Sequence, residues 1–447
     1  MIAVSCDGAS VMMGKEKGVV SRFKKAIPYL VNSHCAAHKL ALASSKAAND
    51  VPYLVKYQEI VNSIYQYFKQ SPKHQLQATI TQNLLSEKNL KYKQVFGTRW
   101  LSFHNSVSAI LKTFDSLITT LESDANVIKV AKAAGLVKLI AKFQFVATSH
   151  FLMDVLAILN RTCLTLQSTN LVYSDVIDQS EITKKSLQDL QSRDGTYYRE
   201  FLANMSTSPE ELVIEQTKEM IFKGHVMPFS EKQFQAVKQT KEKFIDNLLT
   251  NLSTRFDNDD KVLSAFRVLN PALMPQDLNN DESDDSVYGI PDILTLGEHF
   301  GTLQDQDNDL GGLAPLVDLQ ALESEWPQFV QIMHKYKGQK FSEFWCIVLQ
   351  KFSESYPNVC TLGTIYLTLP PTSVDAERGF SRQNLIKNSL RASLTTSSLD
   401  RLMMVKIEGP KLGAFDFETA FAGWVVKKDR RGFLPKVSAS ITAVNHI

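Results

Sequence analysis

The spacing of apolar residues changes near Leu101, and this change limits the possible folds more than any other feature of the sequence. Before it, the runs "IAVSC" and "YLVNSHC" are typical of short strands, whereas "VVSRFKKAI" and "AAHKLALASSKAA" are typical of helices. After it, long amphipathic helices follow one another, beginning with the period of Val107, Ile110 and Phe114. The pattern predicts an α/β layer followed by a long helical region.

A second mixed segment follows the helical region. "FSEFWCIVLQKF" predicts a helix, "VCTLGTIYLTLP" predicts a strand that ends at two prolines, and "SVDAERGFSRQNLIKNSLRASLTTSSLDRLMMVKI" predicts two helices joined by a Leu-Thr-Thr-Ser turn. Residues 276–312 are rich in Asp, Asn and Gly and predict a mobile acidic loop. We therefore divide the chain into residues 1–100, 101–340, 341–410 and a tail, 411–447.

Composition and cysteine usage limit the class of protein. The 447 residues, 44% of them hydrophobic, are enough for two or three folded regions. Five scattered cysteines form no Cys-x-x-Cys pair, which favours a reduced, intracellular setting over a disulfide framework. We interpret no apolar run as a membrane span or a secretory signal, and we expect no membrane partner.

The charge is distributed unevenly, although the net charge is only +2. Residues 1–100 contain 14 Lys and Arg against 5 Asp and Glu, and residues 277–309 contain 10 acidic residues and no Lys or Arg. A basic segment of this kind can contact the phosphates of DNA. A solvated basic surface without a ligand explains the same charges equally well.

Two carboxylates occupy positions that suit metal-dependent chemistry. Asp7 follows an apolar strand pattern directly, and Glu377 follows the stop at Pro370 and Pro371. Oxygen ligands suit Mg²⁺, and a pair of such ions can activate water and stabilise the leaving oxygen of a phosphodiester. The alternative is structural, with Asp7 as a turn residue or helix cap and Glu377 paired with a neighbouring arginine of its helix.

Two further motifs have both a functional and a structural interpretation. Cys35 and His38 form a Cys-x-x-His pair that could supply half of a zinc site, or a buried thiol beside a hydrogen-bonded imidazole. Arg99 and Trp100, at the junction of the two regions, could hold a phosphate and stack an unpaired base. A core tryptophan is the alternative. The sequence contains neither a Gly-x-Ser-x-Gly nor a Gly-x-x-x-x-Gly-Lys-Ser/Thr motif, so hydrolase and nucleotide-loop functions lack support.

In chain order, the segments "CDGASVMMGKEKGV", "HCAAHKLAL", "GTRW" and "LPPTSVDAERGFSRQNLIKNSLRASLTTSSLDRLM" resemble the core of the hAT superfamily of DNA transposases. The similarity is closest to the transposase-derived group that joins a zinc-finger N-terminus to this core, and it covers roughly residues 1–110 and 340–408. It implies a partial ribonuclease-H-like fold, α/β plus all-α, interrupted by a long helical insertion domain. It also implies that residues 341–410 contain the hAT C-terminal dimerisation region.

The resemblance also implies roles for individual residues. Asp7 matches the second acidic metal ligand of the family and Glu377 the third, with Mg²⁺ or Mn²⁺ as the cofactor only if the chain is catalytic. Cys35 and His38 match a Cys-x-x-His motif near the family's active site. Trp100 matches an aromatic residue that stabilises a flipped base.

The resemblance implies that the family's first catalytic Asp and its zinc finger lie upstream of the first residue given. We therefore interpret the sequence as N-terminally incomplete, and we expect a hAT transposase-derived protein that retains dimerisation and some nucleic-acid binding, with catalysis lost. One alternative is an active transposase, with metal-dependent DNA cleavage and strand transfer, represented by an incomplete chain. Another is a domesticated, chromatin-associated interaction scaffold that uses the helical insertion as a docking surface.

Self-association is expected through two apolar helical faces near the C-terminus. We expect a homodimer or a higher homo-oligomer, located in the nucleus, where "KKDRR" at Lys427 to Arg431 is the local sequence signal. The residues predicted to form the dimer contact are Phe380, Leu385, Leu390, Leu399 and Leu402.

Overall fold

The computed structural model describes eight stretches of the chain: residues 1–95, 100–168, 171–204, 206–207, 218–257, 260–275, 288–301 and 314–426. The chain divides into two compact units, residues 1–374 and residues 375–447, called here the first unit and the second unit. The structure is mostly helical with few strands, which confirms the coarse fold class predicted from the sequence.

The N-terminal part of the first unit contains a parallel pair of strands, β1 (Ala3–Cys6) and β2 (Val31–His34). Two helices, α1 (Ser10–Met13) and α2 (Val19–Ala26), connect them. Helix α2 ends two residues before Pro28, whose ring has no N–H for a helical hydrogen bond. Both predicted strands are therefore confirmed.

Most of the first unit is a helical bundle that includes a small antiparallel sheet. Its helices are α3 (Ala36–Asn49), α4 (Pro52–Lys69), α5 (Pro72–Leu84), α6 (Trp100–Lys112), α7 (Phe114–Asn126), α8 (Ala131–Ile140), α9 (Phe143–Leu166), α10 (Tyr173–Ser192), α11 (Thr196–Ala203) and α12 (Glu231–Phe256). The sheet consists of β3 (Ser206–Thr207), β4 (Lys218–Phe222) and β5 (His225–Phe229). After residue 100 the described part of this bundle is largely helical, as the apolar spacing predicts, apart from the sheet. Helices α3, α4 and α5 belong to the same core, although they lie in the predicted α/β part.

Helix α9 is the centre of this bundle. It packs against α6, α10, α11 and α12. By length and composition α9 could cross a membrane, but 78% of its most apolar window is buried inside the protein. It is therefore the apolar core helix of the bundle.

The C-terminal part of the first unit has a separate core. Its helices are α13 (Lys261–Ala265), α14 (Ile290–Gly301), α15 (Leu319–Lys335), α16 (Phe341–Lys351) and α17 (Pro357–Thr368), with 3₁₀ turns at Phe266–Leu269 and Pro271–Leu273. Large aromatic side chains fill this core, among them Trp326, Phe329, Trp345 and Tyr366.

Helix α14 corrects the prediction of a loop over residues 276–312. Its residues Ile293, Leu296 and Phe300 recur at helical spacing and are buried in the aromatic core. In the sequence, the acidic and glycine-rich residues on both sides of this segment hide the helical spacing of its three apolar residues. The other parts of the predicted loop, residues 276–287 and 302–312, lie outside the described residues.

Helix α17 corrects the prediction of a strand in "VCTLGTIYLTLP". Pro357 begins the helix, where a missing N–H costs nothing. The Glu325 carboxylate on α15 accepts hydrogen bonds from the backbone N–H groups of Asn358 and Val359, at 3.1 and 3.0 Å. These hydrogen bonds satisfy backbone N–H groups in the first turn of α17, which have no partner within the helix. They favour the helix despite the β propensity of its Val, Ile and Thr residues.

The second unit contains the two predicted helices and a third in the predicted tail. They are α18 (Val374–Ile386, starting at the last residue of the first unit), α19 (Thr396–Glu408) and α20 (Phe417–Val426), with 3₁₀ turns at Ser389–Arg391 and Leu412–Ala414. No described residue of α18, α19 or α20 is buried.

Candidate functional site

Asp7 lies directly after β1, with its side chain exposed. Its Oδ1 accepts a hydrogen bond from the backbone N–H of Ala9, at 3.3 Å. Asp side chains commonly stabilise turns in this way. The observed contact therefore matches the turn role that the sequence left open for Asp7.

His34, at the end of β2, is a neighbour of Asp7 that the sequence analysis did not select. A Cβ atom at Gly8 would lie 2.7 Å from His34 Cε1, so any larger residue there would displace the His34 ring. Burial lowers the pKa of His34 to about 4, helped by the nearby His38, Lys39 and Arg255 and opposed by Asp7. The imidazole is therefore neutral at pH 7.

The Cys-x-x-His pair begins helix α3. Cys35 is fully buried, and its Sγ accepts a hydrogen bond from the backbone N–H of Ser373 at 3.2 Å. The His38 ring centroid lies 5.5 Å from that of His34. Among the residues that the structure describes, no group of three or more His, Cys, Asp or Glu side chains is placed to hold a metal ion. The described residues therefore do not complete the zinc site considered from the sequence. Asp7 belongs to the first unit and Glu377 to the second, so a metal-binding role for this pair stays a prediction.

The segment 370–373, which follows α17, lies against β2 and α3. The Ser33 hydroxyl donates a hydrogen bond to the Pro370 carbonyl at 3.0 Å. The backbone N–H of Ala36, in the first turn of α3, donates to the Pro371 carbonyl at 3.1 Å. These bonds join two parts of the first unit that are 337 residues apart in sequence.

Glu377 belongs to the second unit, where it is exposed in the first turn of α18. Arg378, one of its expected partners, contacts Asp375, with 3.0 Å between Arg378 Nη1 and Asp375 Oδ1. Acidic side chains in a first turn are favoured by the positive end of the helix dipole. The position of Glu377 is thus compatible with a structural role.

Most of the residues predicted to contact nucleic acid lie outside the described residues. Arg99 lies outside the described residues, as does the "KKDRR" segment. Trp100 is the first residue of α6, and its side chain also lies outside the description. Their roles stay predictions.

The apolar residues predicted to form the dimer contact are accessible in the second unit. Phe380, Leu385 and Leu390 are 64%, 71% and 93% exposed, and Leu399 and Leu402 are half-buried. Further exposed apolar residues in the same unit are Met404, Val405, Leu412, Phe415, Phe417, Phe421, Trp424 and Val426. The five predicted residues are thus all at least partly accessible in the second unit.

A comparison with protein families identifies this part of the chain. Residues 326–408 match the model of the hAT family C-terminal dimerisation region, and we call them the dimerisation region. The region extends from α15 to the end of α19 and includes all five residues predicted to form the dimer contact. The chain therefore contains a segment that matches the C-terminal dimerisation region of the hAT family, and this match supports the relationship to hAT transposases that the sequence suggests.

Proposed function

We propose that the protein forms homodimers through the exposed apolar residues of the second unit. The observation that carries the proposal is that no described residue of α18, α19 or α20 is buried, although Phe380, Leu385 and Leu390 are large and apolar. Removing such side chains from water contributes about 1.5–3 kcal/mol each. Association supplies this burial, which the unit does not obtain from its own packing.

A second copy of the chain is the partner that best fits these helices. Most soluble oligomers are symmetric homo-oligomers, in which the same surface of each copy meets its equivalent. No described residue of the second unit is buried, so its described helices do not form a core of their own. The dimerisation region supports the same partner.

A pair of substitutions on α18 tests the proposal. Leu385→Asp places a charge on the exposed apolar surface, whereas Asn384→Asp places the same charge on the neighbouring exposed residue. We expect light scattering of the full chain at micromolar concentration to show a dimer for the parent protein. We expect Leu385→Asp to weaken self-association at least tenfold and Asn384→Asp to weaken it much less. A parent protein that is monomeric at tens of micromolar, with a helical circular dichroism spectrum, would contradict the proposal.

We also propose that the first unit contains a partial ribonuclease-H-like core, split by the helical insertion. The parallel pair β1 and β2, with helices between them, supports this assignment. The hydrogen bonds from Ser33 and Ala36 to segment 370–373 support it further. They hold the segment that follows the inserted helices against β2 and α3. Amide hydrogen exchange should then show β1, β2 and the end of α17 opening together. Independent opening of the strands would argue against a shared core.

Contact with DNA is a second candidate function. Lys15, Lys17 and Arg22 are exposed on and beside α2, within the basic N-terminal part. Phosphate contacts release counterions, so binding should weaken steeply with salt and depend little on sequence. The double variant Lys15→Glu/Lys17→Glu should reduce the salt dependence, whereas Lys351→Glu on the exposed side of α16 should not. Binding that does not change with salt would exclude this function.

DNA cleavage and a scaffold role in chromatin are further candidate functions. Both require the protein to be in the nucleus, as the resemblance implies. Cleavage would need Mg²⁺ or Mn²⁺, with Asp7 and Glu377 as the proposed ligands. Nicking of a transposon-end DNA by the full chain, abolished by Asp7→Ala, would favour cleavage. Capture of a chromatin protein that survives nuclease treatment would favour the scaffold.

A further inference from the structure

We propose that helix α20 and the residues leading into it extend the dimer contact beyond the dimerisation region, packing against a second copy of this chain. The inference rests on the proposed self-association and assigns a role to residues 409–426. These residues lie outside the family match, which ends at Glu408.

Three aromatic side chains form a ridge along α20. Phe417, Phe421 and Trp424 recur at i, i+4 and i+7, which places them on one side of the helix. They are 56%, 47% and 48% exposed, and the Phe421 and Trp424 rings stack with centroids 6.1 Å apart. Such a ridge combines a large apolar area with few rotatable bonds, as in the residues that dominate protein interfaces.

The helix is too short and too apolar to be stable in water without a packing partner. Its ten residues, "FETAFAGWVV", contain one charged side chain, Glu418. Isolated helices shorter than about 12–15 residues are marginal in water. A helix that is apolar on nearly all sides is usually buried, and no described residue of α20 is buried.

Continuity with the dimerisation region identifies the partner. Helix α19 ends at Glu408, the last matched residue, and α20 begins nine residues later in the same compact unit. The residues that connect α19 to α20 include two more exposed apolar side chains, those of Leu412 and Phe415. Exposed apolar side chains therefore continue along the chain from the matched residues into α20. A copy that binds the matched helices would have α20 within reach of the short connection.

A membrane is a weaker candidate for the partner. Ten helical residues span about 15 Å, roughly half of the hydrocarbon thickness of a bilayer. Helices that lie on a membrane surface have one apolar side and one strongly charged side. Helix α20 has no Lys or Arg and no charged side of this kind.

The test compares three variants of the full chain. The double variant Phe421→Ala/Trp424→Ala removes most of the ridge, and Glu418→Ala changes an exposed residue of the same helix. Leu385→Asp reports on the proposed function independently. We expect the double variant to weaken self-association about tenfold or more and Glu418→Ala to change it less than twofold. A photoreactive phenylalanine at position 421 should cross-link to residues 375–426 of a second copy.

Each other outcome overturns the inference in a distinct way. An unchanged dissociation constant for the double variant, together with weakening by Leu385→Asp, would refute the role of α20 and leave the proposed function standing. A monomeric parent protein would refute both. Binding to vesicles of phosphatidylcholine and phosphatidylserine that the double variant loses, with self-association unchanged, would assign the ridge to a membrane surface instead.

Discussion

The two halves of the dimerisation region differ in how their apolar side chains are covered. In residues 326–374, which belong to the first unit, Trp345 and Tyr366 are fully buried in the aromatic core. In residues 375–408, which belong to the second unit, no residue is buried and Leu385 is largely exposed. One family region thus contains a half that is packed within the chain and a half that is not.

This difference separates two roles that a single family match combines. The first half contributes to the folding stability of its own chain, because its aromatic residues are already packed. Under the proposed self-association, the second half gains stability when its accessible apolar area is buried. Substitutions in the two halves should therefore affect different measurements, the free energy of unfolding in one and the dissociation constant in the other.

The largest expected effect is on the packed half. Trp345 is fully buried, and its indole N–H donates a hydrogen bond to the Leu269 carbonyl at 3.2 Å. Trp345→Ala should lower the free energy of unfolding by about 3–5 kcal/mol, measured by chemical denaturation at fixed protein concentration. Leu385→Ala should change that quantity by less than about 0.5 kcal/mol once dimer dissociation is accounted for. Equal losses for the two variants would remove the distinction between the halves.

A smaller effect is expected from the carboxylate that caps α17. Glu325 accepts two backbone N–H bonds and one from the Asn358 side chain, at 2.6 Å. Glu325→Gln removes the charge from these bonds and should cost about 1–2 kcal/mol of unfolding free energy. Glu323→Gln, on the exposed side of the same helix, is the matched control and should be nearly neutral. The dissociation constant of the dimer should stay the same in both variants.

The smallest effect is expected at the start of α19. Thr395 Oγ1 accepts a hydrogen bond from the backbone N–H of Ser398 at 3.2 Å and so caps the helix. Thr395→Ala should destabilise α19 by about 1 kcal/mol. Amide exchange within α19 should become faster while exchange in the first unit stays unchanged. The neighbouring Thr396→Ala should have a weaker effect, and a change in both units would show that they unfold together.

Hydrophobic spacing predicts α2, α3, α6, α16 and both strands of the parallel pair, because each of these elements buries residues on at least one side. The prediction failed where contacts between distant segments decide the structure. Helix α17 depends on the Glu325 carboxylate, more than thirty residues earlier in the sequence. Helix α14 is short, and its apolar period is visible only once the flanking acidic residues are set aside.

The candidate sites were predictable to different degrees. The apolar residues of α18 and α19 were found from composition and resemblance, and the family match confirms the region that contains them. His34 was not selected, since a histidine in a strand pattern gives no signal until Gly8 and His38 are seen beside it. Helix α20 was assigned to a tail, because ten apolar residues at a chain end resemble an unstructured segment as much as an interface.

The hydrogen bond between Ser33 and Pro370 has a consequence for the timing of synthesis. A ribosome adding about 5–20 residues per second needs about 20–70 seconds to pass from the first of these residues to the second. During that interval Ser33 in β2 and Ala36 in α3 lack their hydrogen-bond acceptors, the carbonyls of Pro370 and Pro371. The helices between these two parts of the sequence emerge from the ribosome in the meantime. The N-terminal strands therefore cannot complete their packing until translation has passed Pro371.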